Sequence, residues 1–294
     1  MTNEIKDLIH SKRPNLSISS LITYTSILKS LYRKVFGDTE YDLDKFNNPK
    51  KTLEFLEDIP FNKRKTILSA LVILTDEKEY RDLMSEDIKE YNADMAKQEK
   101  SNSQEENWVE PEEVSVIFED LKNNAKLLYK KKHKTTSDIQ QIQNFIIIAL
   151  LGGNYIAPRR AKDYCDFKIK NINKERDNFI EKKKMVFNSY KTAKTYGRQD
   201  IDLPPALKTI LNKWISINPT EYLLCDSNMN PLTAVKLNQR INRIFNKKVG
   251  VNLLRHSYLT DKFGETIKQK KKVADTMEDM GSSANMLTTY VKNE

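Results

Sequence analysis

The chain is short of the residues that small cross-linked or metal-built folds depend on. Its 294 residues include two cysteines, Cys165 and Cys225, and three histidines. Two cysteines make no disulfide framework and three histidines make no ligand cluster, so neither a structural metal nor a cofactor is expected, and a reducing compartment is. Long apolar runs are missing too. The longest, Phe145 to Leu151, is too short to span a bilayer, which argues against a membrane partner. The N-terminus, Met1-Thr2-Asn3-Glu4-Ile5-Lys6, is polar and lacks the apolar core of a signal peptide.

What is present is charge and helical periodicity. Charged residues make up 31% and apolar residues 38%, with a formal net charge of +9 and pI near 9.2. That balance favours polyanionic partners, of which nucleic acid is the commonest. The length is enough for two domains, each with its own core.

Residues 1–97 read as four short helices with few glycines and no strand signal. A cap at Ser17, Ser19 or Ser20 precedes Leu21, Ile22, Ile27, Leu28, Leu31, Tyr32 and Val35 at helical spacing, and Gly37-Asp38 ends the pattern. Further patterns run from Pro49 to Leu56, Lys63 to Leu74 and Lys78 to Met95. Residues 98–107 contain no apolar side chain and read as an exposed linker. A second domain, 108–294, opens at Trp108 with Pro111 at a helix start. Helices are expected at Glu112–Lys130, Ser137–Leu151, Pro205–Ile217, Thr233–Phe245, Leu253–Phe263, Ile267–Met280 and Ala284–Val291. Three short antiparallel strands are expected at Phe167-Lys168-Ile169, Met185-Val186-Phe187 and Asp200–Leu203. The expected fold class is mainly α with a small antiparallel β-sheet.

Three segments carry chemistry: Pro158-Arg159-Arg160-Ala161-Lys162-Asp163, then Leu254-Arg255-His256-Ser257-Tyr258-Leu259-Thr260, then Leu287-Thr288-Thr289-Tyr290. Their order, Arg…Arg…Tyr, suggests a tyrosine hydroxyl attacking a phosphodiester held by two guanidiniums. Such a reaction needs a nucleophile, cations for the charge building on the non-bridging oxygens, and an acid for the leaving 5′-oxygen. Arginine suits the second task because its planar fork binds phosphate bidentately and stays charged. Lysine suits the third when neighbouring cations lower its pKa.

These segments resemble the boxes of the tyrosine recombinase (phage-type integrase) family. The resemblance covers roughly residues 108–294. It implies a catalytic domain of that family preceded by a helical core-binding domain, the two clamping duplex DNA. It places the first catalytic arginine at Arg160, because Asp163 three residues on matches the family's buttressing carboxylate; Arg159 is the rival. The family's lysine lies in the turn joining the second and third strands, where Lys191 directly follows the strand and Lys194 is the alternative. Val251-Asn252-Leu253-Leu254-Arg255-His256 is similar to the second arginine box, making Arg255 the second catalytic arginine. Asn252 stands where the family has a histidine; it can donate a hydrogen bond to phosphate but cannot shuttle a proton at neutral pH. Ser282, after Gly281, stands where a histidine or tryptophan is usual, and Tyr290 takes the nucleophile's place. His256 matches a position that is usually structural.

The resemblance further implies a site-specific recombinase or integrase of a virus or mobile element. It would work on double-stranded DNA in the cytoplasm or a host nucleus, as a homo-tetramer on two DNA sites, without metal or ATP. A type IB topoisomerase would use the same chemistry but reseal the original strand as a monomer. A third reading is a DNA-binding protein on a recombinase scaffold that no longer cleaves; Asn252 and Ser282 point towards it, the retained arginines, lysine and tyrosine away from it.

Overall fold

In the computed structural model, which describes residues 2–37, 41–286, 289 and 291, the chain divides into two units, Met1–Lys100 and Ser101–Glu294. It is mainly α, with one small antiparallel sheet among the described residues. No described helix is long and apolar enough to cross a membrane.

The first unit contains α1 (Thr2–Lys12), α2 (Ile18–Phe36), α3 (Pro49–Glu57), α4 (Phe61–Thr75) and α5 (Lys78–Ala96), with a 3-10 turn at Leu43–Asn47. Ser17 starts α2 by accepting a hydrogen bond from the Ser20 N–H at 3.1 Å, and Gly37, at φ +75°, stops it by bonding back to the Arg33 carbonyl. Leu21, Leu28, Leu31, Tyr32 and Val35 point inward at the helical period. Helix α1 goes beyond the four helices expected. Its described buried apolar residues are Ile5 and Ile9, one turn apart, joined by the Lys12 ammonium on the Leu74 carbonyl, and two apolar positions are too few for a periodic signal. Across the α4–α5 pair, Arg64 forks onto the buried Asp87 carboxylate, with Nη2–Oδ1 at 2.6 Å and Nε–Oδ2 at 3.0 Å.

The second unit starts before Trp108. Residues 102–107, read from sequence as part of a linker, form a short helix, α6 (Asn102–Asn107), under a Ser101/Gln104 capping box. Asn107 Oδ1 fixes its end by accepting from the Lys248 N–H at 2.8 Å. Then come α7 (Pro111–Tyr129) and α8 (Thr136–Leu151). The apolar run Phe145–Leu151 is buried on all sides, as suits the central helix of a core. A short α9 (Ala161–Cys165) leads to the sheet, β1 (Phe179–Glu181), β2 (Lys184–Phe187) and β3 (Gln199–Asp202), in order β1-β2-β3, with α10 (Ala193–Tyr196) inside the β2–β3 connection. The register pairs Phe179 with Val186, Met185 with Ile201 and Phe187 with Gln199. The unit continues with α11 (Pro205–Ile217), α12 (Ala234–Phe245), α13 (Val251–Asp279) and a 3-10 turn at Ala284–Met286.

Three details differ from expectation. Phe167–Ile169 is not a strand: Lys168 makes only isolated bridges, to Phe179 and to Tyr222, because the chain passes the sheet's end there and moves on. The first strand is Phe179–Glu181 instead. The two helices expected over 253–280 are one, α13. Gly264 costs about 1 kcal/mol in a helix interior, too little to break it between flanking good helix formers. Of the helix expected over Ala284–Val291, Ala284–Met286 form a 3-10 turn and Thr289 is helical; Leu287, Thr288 and Tyr290 lie outside the described residues.

Candidate functional site

The site begins where α8 ends. Gly153, at φ +82°, brings the chain against the ring of Tyr258, so close that a β-carbon would lie 2.4 Å from Tyr258 Cδ2. This contact seats the first turns of α13 on the end of α8. Leu253, Leu254 and Ser257 are buried, and the Ser257 hydroxyl donates to the Val109 carbonyl. Arg255 emerges on the side facing α9, where its Nε donates to the Pro158 carbonyl at 3.3 Å. The next two residues are Arg159 and Arg160, at the start of α9.

Asp163 underlies this meeting point. Its side chain is 2% exposed; Oδ2 accepts from Arg159 Nε at 2.9 Å, and Oδ1 has no hydrogen-bond partner. Burial raises its carboxyl above the ordinary carboxylate value, against the opposing pull of Arg159, Arg160 and Arg255. Arg255 is shifted the other way: burial lowers its pKa first, and the charges of Arg160 and Arg159 lower it further. Arg159 alone is hydrogen-bonded to this buried carboxylate, while Arg160 and Arg255 act on it through charge. Neither fork nitrogen of Arg255 donates a hydrogen bond among the described residues, and the Arg160 guanidinium donates none. Such a pair is equipped to receive an oxyanion.

The structure thus brings Arg160, Arg255 and Asp163 together. Arg159 is engaged elsewhere: Nη1 donates to Gln199 Oε1 at 2.8 Å, and its guanidinium carbon lies 4.1 Å from the Phe187 ring centroid and 5.0 Å from that of Tyr190. Lys191 and Lys194 are both exposed in the β2–β3 connection, and among the described residues neither makes a hydrogen bond. Asn252 is exposed in the first turn of α13. Together with His256, Lys248, Asn238 and Ala161 it lines a cleft of about 410 Å³ beside Arg160.

Ser282 is not brought to this place. It follows the end of α13, its N–H bonded to the Met277 carbonyl at 2.8 Å. At 1.5 Å rise per residue, the helix carries the chain about 36 Å between Arg255 and Asp279. Tyr290 lies outside the described residues.

Sequence reasoning missed the work of Arg159, Gln199 and Tyr190, and the cleft shared by Lys248 and His256. The first had a signal, since Arg159 stands four residues before Asp163, the spacing of a helical ion pair. The cleft had none, because its walls come from α6, α9, α12 and α13.

No protein-family model matches the chain, and no curated protein sequence matches it. Among solved structures, the chain is similar to a lambda integrase dimer (residues 75–356) bound to a COC′ core site, with TM-score 0.46 and 14% identity over 87% of this chain and 86% of that one. It is similar to the XerH site-specific recombinase in a post-cleavage complex with a palindromic difH substrate, with TM-score 0.45 and 16% identity over 94% and 74%. A lambda integrase tetramer bound to a Holliday junction gives TM-score 0.45 and 13% identity over 89% and 69%.

Proposed function

We propose that this chain is a DNA strand transferase of the tyrosine recombinase kind, which breaks and rejoins duplex DNA through a 3′-phosphotyrosyl intermediate. The observation that carries the reading is the convergence of Arg160 and Arg255, far apart in sequence, around one buried carboxylate, with no acceptor for either fork among the described residues. An excess of positive charge held in a protein frame stabilises charge developing on a phosphoryl group without reorganising.

The Tyr290 hydroxyl attacks the scissile phosphorus and gives up its proton to solvent water. The Tyr–O–P bond forms and the P–O5′ bond breaks. Arg160 and Arg255 hold the non-bridging oxygens, Asn252 adds a neutral hydrogen bond, and Lys191 gives its proton to the leaving 5′-oxygen. A 5′-hydroxyl, from the same or a partner strand, then attacks phosphorus and releases the tyrosine, so the backbone is resealed. For Ser282 to act beside the arginines of its own subunit, α13 must bend and bring it back to them. Exchange between strands requires four copies on two DNA sites.

A second reading, a DNA-binding protein that no longer cleaves, is favoured by the placement of Ser282 at the far end of α13. Covalent trapping separates the two. Nicked duplexes with a randomised central segment let the 5′-end diffuse away, so a covalent adduct accumulates and its DNA can be sequenced. An adduct that disappears in Tyr290→Phe supports the transferase and reports its target. Protein that binds the duplexes but forms no adduct supports the binder.

A further inference from the structure

The β2–β3 connection is closed on itself and fastened to the arginine cluster through one residue. Tyr190 Oη donates to the Gly197 carbonyl at 2.6 Å, which brackets the segment 191–196 carrying Lys191 and Lys194. Arg159 holds both sides of that bracket. Its guanidinium packs on the rings of Phe187, at the end of β2, and Tyr190, next to Lys191. Its Nη1 donates to Gln199 Oε1, at the start of β3, while its Nε is bound to Asp163 Oδ2. The side chain is only 15% exposed, its Nε and Nη1 are bonded to protein groups, and it lies against two aromatic rings. This is an arginine used as a fastener, not one waiting for phosphate. A lysine ammonium has neither the fork nor the flat face to do both tasks.

We propose that Arg159 is a positioning residue for strand cleavage: it fixes the 190–199 loop against the Arg160–Arg255 pair, so that the loop's lysine meets the leaving 5′-oxygen. The inference rests on the transferase reading above. In that step the Tyr–O–P bond forms as the tyrosine proton passes to water, the P–O5′ bond breaks, and a proton passes from the lysine ammonium to the departing oxygen. A loosened loop slows only that proton transfer. A 5′-sulfur leaves as a thiolate, because thiols are far more acidic than alcohols, and needs no proton at all.

The test uses the full chain and the duplex recovered by covalent trapping, made with either oxygen or sulfur at the scissile 5′-position. With oxygen, Arg159→Ala should form adduct about 10²-fold or more slower than wild type, the usual scale for a lost general acid. With sulfur it should come within a few-fold of wild type, as should Lys191→Ala. Gln199→Met leaves the Arg159–Asp163 pair intact, and so serves if Arg159→Ala fails to fold. It should show a smaller loss with the same dependence on the leaving atom, together with faster amide exchange over 190–199 in the free protein. Gln199→Glu keeps the acceptor and should behave as wild type. If the Arg159 and Gln199 variants are slowed equally with oxygen and sulfur, or if Gln199→Met leaves both exchange and rate unchanged, the positioning role is wrong while the transferase stands. If wild type binds both duplexes and cleaves neither, the transferase reading fails, and the role of Arg159 with it.

Discussion

Replacing Gly153 with alanine should unseat the helix that carries Arg255, and the cost can be worked from two contacts. At φ +82° a β-carbon meets the steric penalty of left-handed backbone, about 1–2 kcal/mol. The same carbon would stand 2.4 Å from Tyr258 Cδ2 and 3.0 Å from Cε2, and forcing a ring aside in a packed site costs about 1–3 kcal/mol. The expected loss is therefore about 2–5 kcal/mol. Both tryptophans of the chain, Trp108 and Trp214, lie in the second unit, so urea unfolding followed by their fluorescence reports that unit. With a urea slope of about 2 kcal/mol per molar, the midpoint should fall by about 1–2.5 M. Tyr258→Ala in the same background removes the collision but not the backbone strain. The double variant should then be about 1–3 kcal/mol more stable than the two single losses added together predict. A midpoint that moves by less than about 0.3 M, or single losses that simply add, would refute the account of how α13 is seated.

Arg160→Lys and Arg255→Lys, each tested separately, should keep duplex affinity within about tenfold while slowing covalent adduct formation by about 10²–10³-fold, since lysine retains charge but not the bidentate fork; equal rates would remove both from the phosphate site. Arg64→Met should destabilise the first unit by about 3–5 kcal/mol by leaving Asp87, only 1% exposed, unpaired; protection of α4 and α5 in amide exchange measures it, and unchanged protection contradicts it. Asp163 has a raised pKa in the fold, so it binds a proton more readily folded than unfolded. Its contribution to stability is complete below about pH 4 and is lost as pH rises through the folded-state value. Asp163→Asn should therefore flatten the decline in second-unit stability above about pH 4, as read from urea midpoints across pH, and a steeper decline would reverse the sign assigned to burial.

The helices were readable where caps and period agreed. Thr233 before Ala234–Phe245 and the Ser17–Gly37 frame are cases where a local hydrogen bond and an apolar stripe give the same answer. Sequence failed where one of the two was missing. Helix α1 has a stripe of two residues, and α6 has a capping box but no stripe, so it read as linker. The strand expected at 167–169 has the right alternation, but alternation cannot say whether a neighbouring strand runs alongside for more than one residue. At the site, Asp163 was matched to Arg160 as its buttress, but its carboxylate accepts from Arg159, four residues before it, and acts on Arg160 through charge alone. The engagement of Arg159 with Gln199 and Tyr190 was not legible, since it depends on a hairpin returning some forty residues later.

The two neighbouring arginines differ in kind because of what each faces. A guanidinium is stable inside a protein only when its donors are met or its charge is balanced. Arg159 satisfies this with a carboxylate, an amide oxygen and two aromatic rings. Arg160 and Arg255 rely on the charge of Asp163 without a hydrogen bond to it among the described residues, and burial raises the pKa of that carboxyl. Arg255, whose pKa is lowered first by burial and then by the charges of Arg160 and Arg159, is held in place by packing outside the cluster: Tyr258 against Gly153, and Ser257 against Val109. A frame that keeps like charges together at a cost in stability makes physical sense when a phosphate is to complete it. The same logic sets Arg159, with its partners in the protein, apart from its neighbour Arg160.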